Sequence, residues 1–142
     1  MIHVMRLNTF LNFGGNCEEA LRFYEQHLGG RITMLMRREE QPGQPVTWPG
    51  WERSIQYAVM DLGETQLMAS DVPPDHFQTM RSVYLSLTAD SPAEAERIWA
   101  LLSDGAQIFM PMAETFFATR FGQLRDKFGT SWMVMAMKPQ TS

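Results

Sequence analysis

Glu114 and Arg120, set on either side of Phe116-Phe117, are the side chains of this sequence best suited to act together on a bound molecule. A carboxylate in that setting works as a general base and a guanidinium as a clamp on a developing or resident anion. The ordinary alternative is a salt bridge or a solvent-facing pair. Tyr57 lies in a largely apolar stretch, where its phenol either donates to a ligand or packs half-buried. Phe117 and Trp132 are read as pocket walls, with a core role the competing assignment. Cys17 follows a residue suited to cap a helix, where the dipole lowers a thiol's pKa, but no histidine stands beside it and a small packed residue is the plainer reading. Asp126-Lys-Phe-Gly fits a β-turn that Asp starts and Gly allows to reverse. The three histidines are dispersed: His3 near the start, His27 in a helical stretch, His76 in a linker. Most of the twelve methionines belong to a core, while Met34, Met36, Met110 and Met112 also suit an adaptable lining.

These residues are carried by a pattern that occurs twice. Phe10-Leu-Asn-Phe, Asn16-Cys-Glu-Glu-Ala-Leu-Arg-Phe-Tyr, Gly29-Gly30 and Ile32 are echoed by Tyr84-Leu-Ser-Leu, Asp90-Ser-Pro-Ala-Glu-Ala-Glu-Arg-Ile-Trp, Gly105 and Ile108. Each copy spells strand, capped helix, glycine stop and strand. In the first, Asn16 and Glu19 have capping-box spacing, and Ala20, Leu21, Tyr24 and Leu28 form an apolar stripe that Phe23 broadens. Strands are expected from Thr9, over Arg31 to Arg38, over Ser54 to Leu62 and over Thr65 to Ala69. Between them, Glu39 to Glu52 is a Pro- and Gly-rich loop holding Trp48 and Trp51. In the second copy a strand is expected over Arg81 to Thr88. Ser91 or Asp90 then caps a helix that has Pro92 at its first position, and Ala95, Ile98, Trp99 and Leu102 form its buried stripe. Further strands follow over Gln107 to Met112, Thr119 to Arg125 and Trp132 to Met137. The fold class is therefore α+β: two tandem βαβββ modules over residues 7–71 and 81–138, joined by a linker over 72–80, within a single domain of residues 1–142. Mixed sheets with both helices on one side leave a cleft lined by Met, Phe, Trp and Tyr.

With 142 residues, a core of this size sustains itself without disulfides or a structural metal. Hydrophobic residues at 44% and charged residues at 20% exclude a disordered chain, and no run approaches the roughly 20 apolar residues of a spanning helix. A net charge of -4 with scattered basic residues argues against nucleic acid as a partner. The opening residues lack the order of a secretory signal and the lone cysteine permits no internal disulfide, so a cytoplasmic location without membrane association is expected.

The doubled βαβββ order, the Asn16 to Tyr24 segment leading to Gly29-Gly30, Leu67-Met-Ala-Ser-Asp, Glu114-Thr-Phe-Phe-Ala-Thr-Arg-Phe-Gly and Asp126-Lys-Phe-Gly-Thr-Ser-Trp-Met together resemble the PhnB-like family over nearly the whole chain. That family belongs to the vicinal oxygen chelate superfamily of glyoxalases, fosfomycin- and bleomycin-resistance proteins and extradiol dioxygenases. The resemblance implies a homodimer with a cleft in each half. Superfamily enzymes use a divalent ion to polarise paired substrate oxygens, with a ligand in the first and last strands of each module. Laid on this sequence, that pattern falls on Asn8, Leu67, Ser82 and Met133, and several relatives have His where Tyr57 stands. None of the four is a His or carboxylate, so the expectation is no metal and no cofactor. Two function classes follow. One is a metal-free homodimeric binder of an unidentified small molecule, with Tyr57, Glu114, Phe117, Arg120 and Trp132 as ligand-binding candidates. The other is a lyase, isomerase or dioxygenase-type enzyme, with an unrecognised metal site or with Glu114 as base. The methyltransferase description that some relatives carry finds no glycine-rich nucleoside turn in a parallel α/β sheet here.

Overall fold

In a computed structural model, residues 5–43 and 48–139 are described, and the chain divides into two compact units at Phe77–Gln78. His3 and Pro45 lie outside the described residues. The first unit contains β1 (Thr9–Phe13), α1 (Cys17–Leu28), β2 (Arg31–Arg37), β3 (Ile55–Leu62) and β4 (Thr65–Asp71), with a single 3-10 turn at Arg38–Glu40. The second contains β5 (Leu85–Thr88), α2 (Pro92–Ser103), β6 (Gln107–Ala113), β7 (Ala118–Arg125) and β8 (Ser131–Met137). Each unit is βαβββ, and their sheets run β1-β4-β3-β2 and β5-β8-β7-β6, with the first pair of each parallel and the others antiparallel. Among the described residues no helix is long and apolar enough to cross a membrane.

Alternation along the strands sorts side chains between two faces of each sheet. In the first unit Leu11, Phe13, Ala58, Met60, Leu67 and Ala69 turn toward α1 and are buried with Cys17, Ala20, Leu21 and Tyr24. In the second, Leu124, Trp132, Val134 and Ala136 lie beneath α2 with Ala95, Ile98 and Leu102. Trp99 lies flat on Gly122, where an added Cβ would stand 2.7 Å from the ring. The glycine exists for this contact, because a larger residue would lift the helix off its sheet.

The helix starts differ from each other. Ser91 caps α2 as expected, its hydroxyl accepting from Glu94 N–H at 3.1 Å, with Pro92 at the first position. Asn16 makes no side-chain cap bond. The buried carboxylate of Asp71, at the end of β4, does that work instead: Gly15 and Cys17 N–H donate to Oδ1 at 3.0 and 2.9 Å, and Ile55 N–H donates to Oδ2 at 2.9 Å. A fixed charge on orphan amides and on the positive end of the dipole outcompetes a neutral local amide. Asp71 is thus strand and hub, and β4 runs two residues beyond the expected Ala69. Buried Arg38 completes the hub, reaching Ser54 Oγ at 3.0 Å, Gln56 Oε1 and the Asp71 carbonyl, with Trp48 4.3 Å beneath its guanidinium.

The expected strand over Arg81 to Thr88 forms only from Leu85. Ser82 has a φ of 58°, a left-handed conformation that cannot continue a ladder. The loop tryptophans have definite places: Trp51 covers Gly15, and Trp48 stands 5.9 Å from the His76 ring.

Candidate functional site

The sheet face opposite each helix is the candidate surface. In the first unit two cross-strand rows lie on it. One is wholly apolar: Phe10 pairs with Met68, Met68 with Val59 and Val59 with Met34. The next is neutral and polar: Asn12 pairs with Ser70, Tyr57 follows on β3 one step beyond the Ala58–Ala69 pair, and Met36 ends the row opposite Tyr57. Ser70 Oγ donates to Asn12 Oδ1 at 2.9 Å, and the Phe10 and Tyr57 ring centroids are 6.3 Å apart. Phe10 and Met34 remain 45% and 43% exposed, an unusual state for large apolar side chains on a regular sheet.

In the second unit the corresponding face carries Ser86, Thr88, Gln123, Met133 and Met135, with Phe121 between Ala118 and Met135. Phe117 packs on that cluster and its ring meets Phe121 at 5.2 Å and Phe116 at 5.1 Å. Phe116 projects outward.

The sequence candidates separate on this geometry. Tyr57 and Phe117 stand on the open faces of their respective units. Trp132 is 2% exposed on the helix-side face, its indole Nε1 donating to Asp126 Oδ2 at 2.9 Å, because the register with Leu124 turns it under α2. Arg120 shares that register through Ala136, and its Nε meets Glu96 of α2 at 2.8 Å. Glu114 meets Lys138 at 3.2 Å. The base and the clamp therefore pair with other partners and not with each other. Asp126 forms the expected turn, Gly129 N–H donating to its carbonyl at 3.0 Å, and its carboxylate also accepts from Phe128 and Thr130 N–H, each at 2.9 Å. Cys17 is fully buried at the first position of α1, and burial, with the nearby charges of Asp71 and Glu18, drives its thiol far above the ordinary range. The dipole does not win there, so the sulfur is no nucleophile at neutral pH.

Asn12 and Ser70 are not among the candidates read from the sequence. Their only legible trace was polar residues recurring inside apolar strands, which the β-register alone turns into neighbours.

The residues at the expected metal positions do not fit a divalent cation. Leu67 turns into the helix-side core, Asn8 and Ser82 precede their strands, and Met133 offers a thioether. The outward neighbours on the same four strands are Phe10, Asn12, Met68, Ser70, Ser86, Thr88 and Met135, which supply no imidazole or carboxylate. Among the described residues no three His, Cys, Asp or Glu side chains converge. A polar depression of about 450 Å3 at the β3–β4 turn is bordered by Arg6, Asn8, Asp61, Glu64 and Gln66, and Asp61 and Gln66 belong to the row next to Val59 and Met68 on the same sheet face.

Comparison with known proteins brings out a consistent set. A family model described as 3-demethylubiquinone-9 3-methyltransferase matches residues 5–135. The chain is 36% identical to protein PA1353 from Pseudomonas aeruginosa, whose crystal structure superposes with a TM-score of 0.87, covering 96% of this chain and all of the other. A Bacillus cereus protein described as a putative 3-demethylubiquinone-9 3-methyltransferase, PhnB protein, is 28% identical with a TM-score of 0.78, covering 93% of this chain and 99% of the other. Protein YjdN of Escherichia coli K12 is 28% identical over 96% of this chain and 98% of its own length. At the level of fold alone, a glyoxylase/bleomycin resistance protein/dioxygenase domain from Frankia sp. EAN1pec superposes with a TM-score of 0.62 at 16% identity, covering 97% of this chain and 99% of the other.

Proposed function

Because the chain belongs to the PhnB-like family, the one described as 3-demethylubiquinone-9 3-methyltransferase, and has the vicinal oxygen chelate fold, we propose that it is a metal-free homodimeric binder of a small molecule, acting by sequestration. The observation that carries this reading is the donor set. Where the fold's enzymes present cation ligands, the strands here present thioethers, hydroxyls, an amide and an aromatic ring. Apolar surface with a few neutral polar anchors suits retention of an organic molecule, and methionine lets it adapt to shape.

Methyl transfer is not part of the proposal. The strand–glycine–helix turn at Gly14-Gly15 is the place in the first unit where amides converge, and Asp71 already occupies the Gly15 and Cys17 N–H groups. A cofactor's anionic or hydroxyl groups would have to displace a buried carboxylate to use them. The Glu114–Arg120 acid–base pair is likewise not assembled, since these side chains face Lys138 and Glu96 and not each other.

Elemental analysis of protein purified without chelators tests the reading. The expected result is no stoichiometric zinc, nickel, manganese or iron, before or after incubation with each. One equivalent of any of them, held through gel filtration, overturns it. Sedimentation equilibrium is expected to give twice the 16.3 kDa chain mass.

A further inference from the structure

We infer that the ligand taken by the open face of the first unit is an uncharged, flat, unsaturated carbonyl compound, its carbonyl oxygen received by Asn12 and Tyr57. This rests on the binding reading above and names the class of molecule.

The two cross-strand rows set the requirement. Phe10, Met68 and Met34 form a strip of aromatic and thioether surface, backed by the buried Val59 and without a side-chain polar atom capable of strong hydrogen bonding. Such a strip favours a planar, polarisable body, because rings and thioethers both gain from contact with a π-face. The neighbouring row of Asn12, Ser70 and Tyr57 lies two residues along the strands, about 7 Å away, a distance one or two fused rings span.

The polarity of that row is directional. Ser70 is 7% exposed and donates its hydroxyl to Asn12 Oδ1. With its oxygen so engaged, the Asn12 amide turns its NH2 outward, and Nδ2 has no hydrogen-bond partner among the described residues. The Tyr57 hydroxyl has none either. The free Asn12 NH2 donates only and the Tyr57 hydroxyl is able to donate, so both suit a carbonyl oxygen with its two lone pairs beside the apolar strip. Neither row contains a charged side chain. Arg31 and Asp61 lie one row further along this face, on the far side of the apolar strip. At the Asn12 row itself a carboxylate, phosphate or ammonium group would lose its hydration without an adjacent counter-charge, so that row selects against an ionic head group.

Calorimetric titration of the full chain with four naphthalene probes tests this. They are 2-acetylnaphthalene, its carbonyl-free counterpart 2-ethylnaphthalene, 2-naphthoate and 2-naphthylmethylammonium. The ketone is expected to bind at least threefold tighter than the ethyl compound, and both ions at least tenfold weaker than the ketone. Asn12→Leu and Tyr57→Phe are each expected to weaken the ketone roughly three- to tenfold while leaving 2-ethylnaphthalene unchanged. Ser70→Ala, which frees the Asn12 amide to rotate, is expected to produce a smaller loss of the same kind. The ratio of the two neutral probes is measured on one protein sample, so a variant that is partly unfolded does not move it. Equal binding of ketone and ethyl compound, tighter binding of either ion, or a ratio indifferent to both Asn12→Leu and Tyr57→Phe overturns the inference and leaves the binding reading standing. Failure of all four probes to bind overturns both.

Discussion

Replacing Asp71 by Asn tests the internal logic of the first unit, since it keeps the side chain's shape and removes its charge. Three backbone N–H groups point at this carboxylate, two on Oδ1 and one on Oδ2. An asparagine can keep its oxygen toward Gly15 and Cys17, but its NH2 then faces the Ile55 N–H, donor against donor. That leaves one buried amide unpaired, at a cost of about 1–3 kcal/mol. Two further bonds fall from charge-assisted to neutral, and the α1 dipole loses its anion, about another 1 kcal/mol. Arg38 is 4% exposed; burial lowers its pKa, opposed by the charge of Asp71. Arg38 donates to the Asp71 main-chain carbonyl, a bond the variant keeps, so it loses only the through-space attraction of the carboxylate. These contributions overlap, and the expected loss is about 2–4 kcal/mol, read as a lower urea midpoint followed by far-UV circular dichroism. Asn16→Ala is the control. Its side chain makes no cap bond, so it should cost less than about 0.5 kcal/mol, whereas Ser91→Ala should cost about 1 kcal/mol. If Asp71→Asn lies within 0.5 kcal/mol of the parent, or Asn16→Ala exceeds Ser91→Ala, the hub reasoning is wrong.

Gly122→Ala forces its methyl to within 2.7 Å of the Trp99 ring and is expected to destabilise by about 2 kcal/mol in urea melts, with partial rescue in the Gly122→Ala/Trp99→Leu double variant. Cys17 should resist a thiol reagent at pH 8 in the native protein and react fully in denaturant. Its folded pKa lies above the unfolded one, so the stability it contributes is present below the unfolded thiol's pKa and is lost as pH rises through and beyond that value; rapid native labelling would contradict this. Glu114→Gln and Arg120→Gln should each shift the urea midpoint by less than the equivalent of 0.5 kcal/mol, because both belong to exposed ion pairs, and a loss above 1 kcal/mol would show the pairs to be structural.

The doubled βαβββ order was legible because its signals are local: Gly29 in a left-handed conformation at the end of α1, Pro92 after Ser91 at the start of α2, and apolar periods that change from two to about four. The register was not, and the site depends on it. Whether Trp132 or Met133 faces outward is a one-residue question that apolar composition cannot decide, since both fit either face. The Asp71 hub was hidden for a different reason. Asn16 satisfied every local rule for a cap, and a carboxylate 54 residues away from Cys17 displaced it. Arg120 and Glu114 looked like a pair because they are near in sequence; the sheet turned one toward α2 and the other toward Lys138.

The two caps also give the two helices different histories during synthesis. α2 closes its first turn with Ser91, a residue made just before it, and so can begin to wind from its own stretch of chain. α1 is translated without its anchor. Until Asp71 has been added and β4 has aligned beside β1, the amides at Gly15 and Cys17 have only water, and the helix start stays frayed. A ribosome stalled before residue 71 would therefore hold an amino-terminal half whose helix is unfinished, so that the last strand of the unit decides when its first helix becomes permanent.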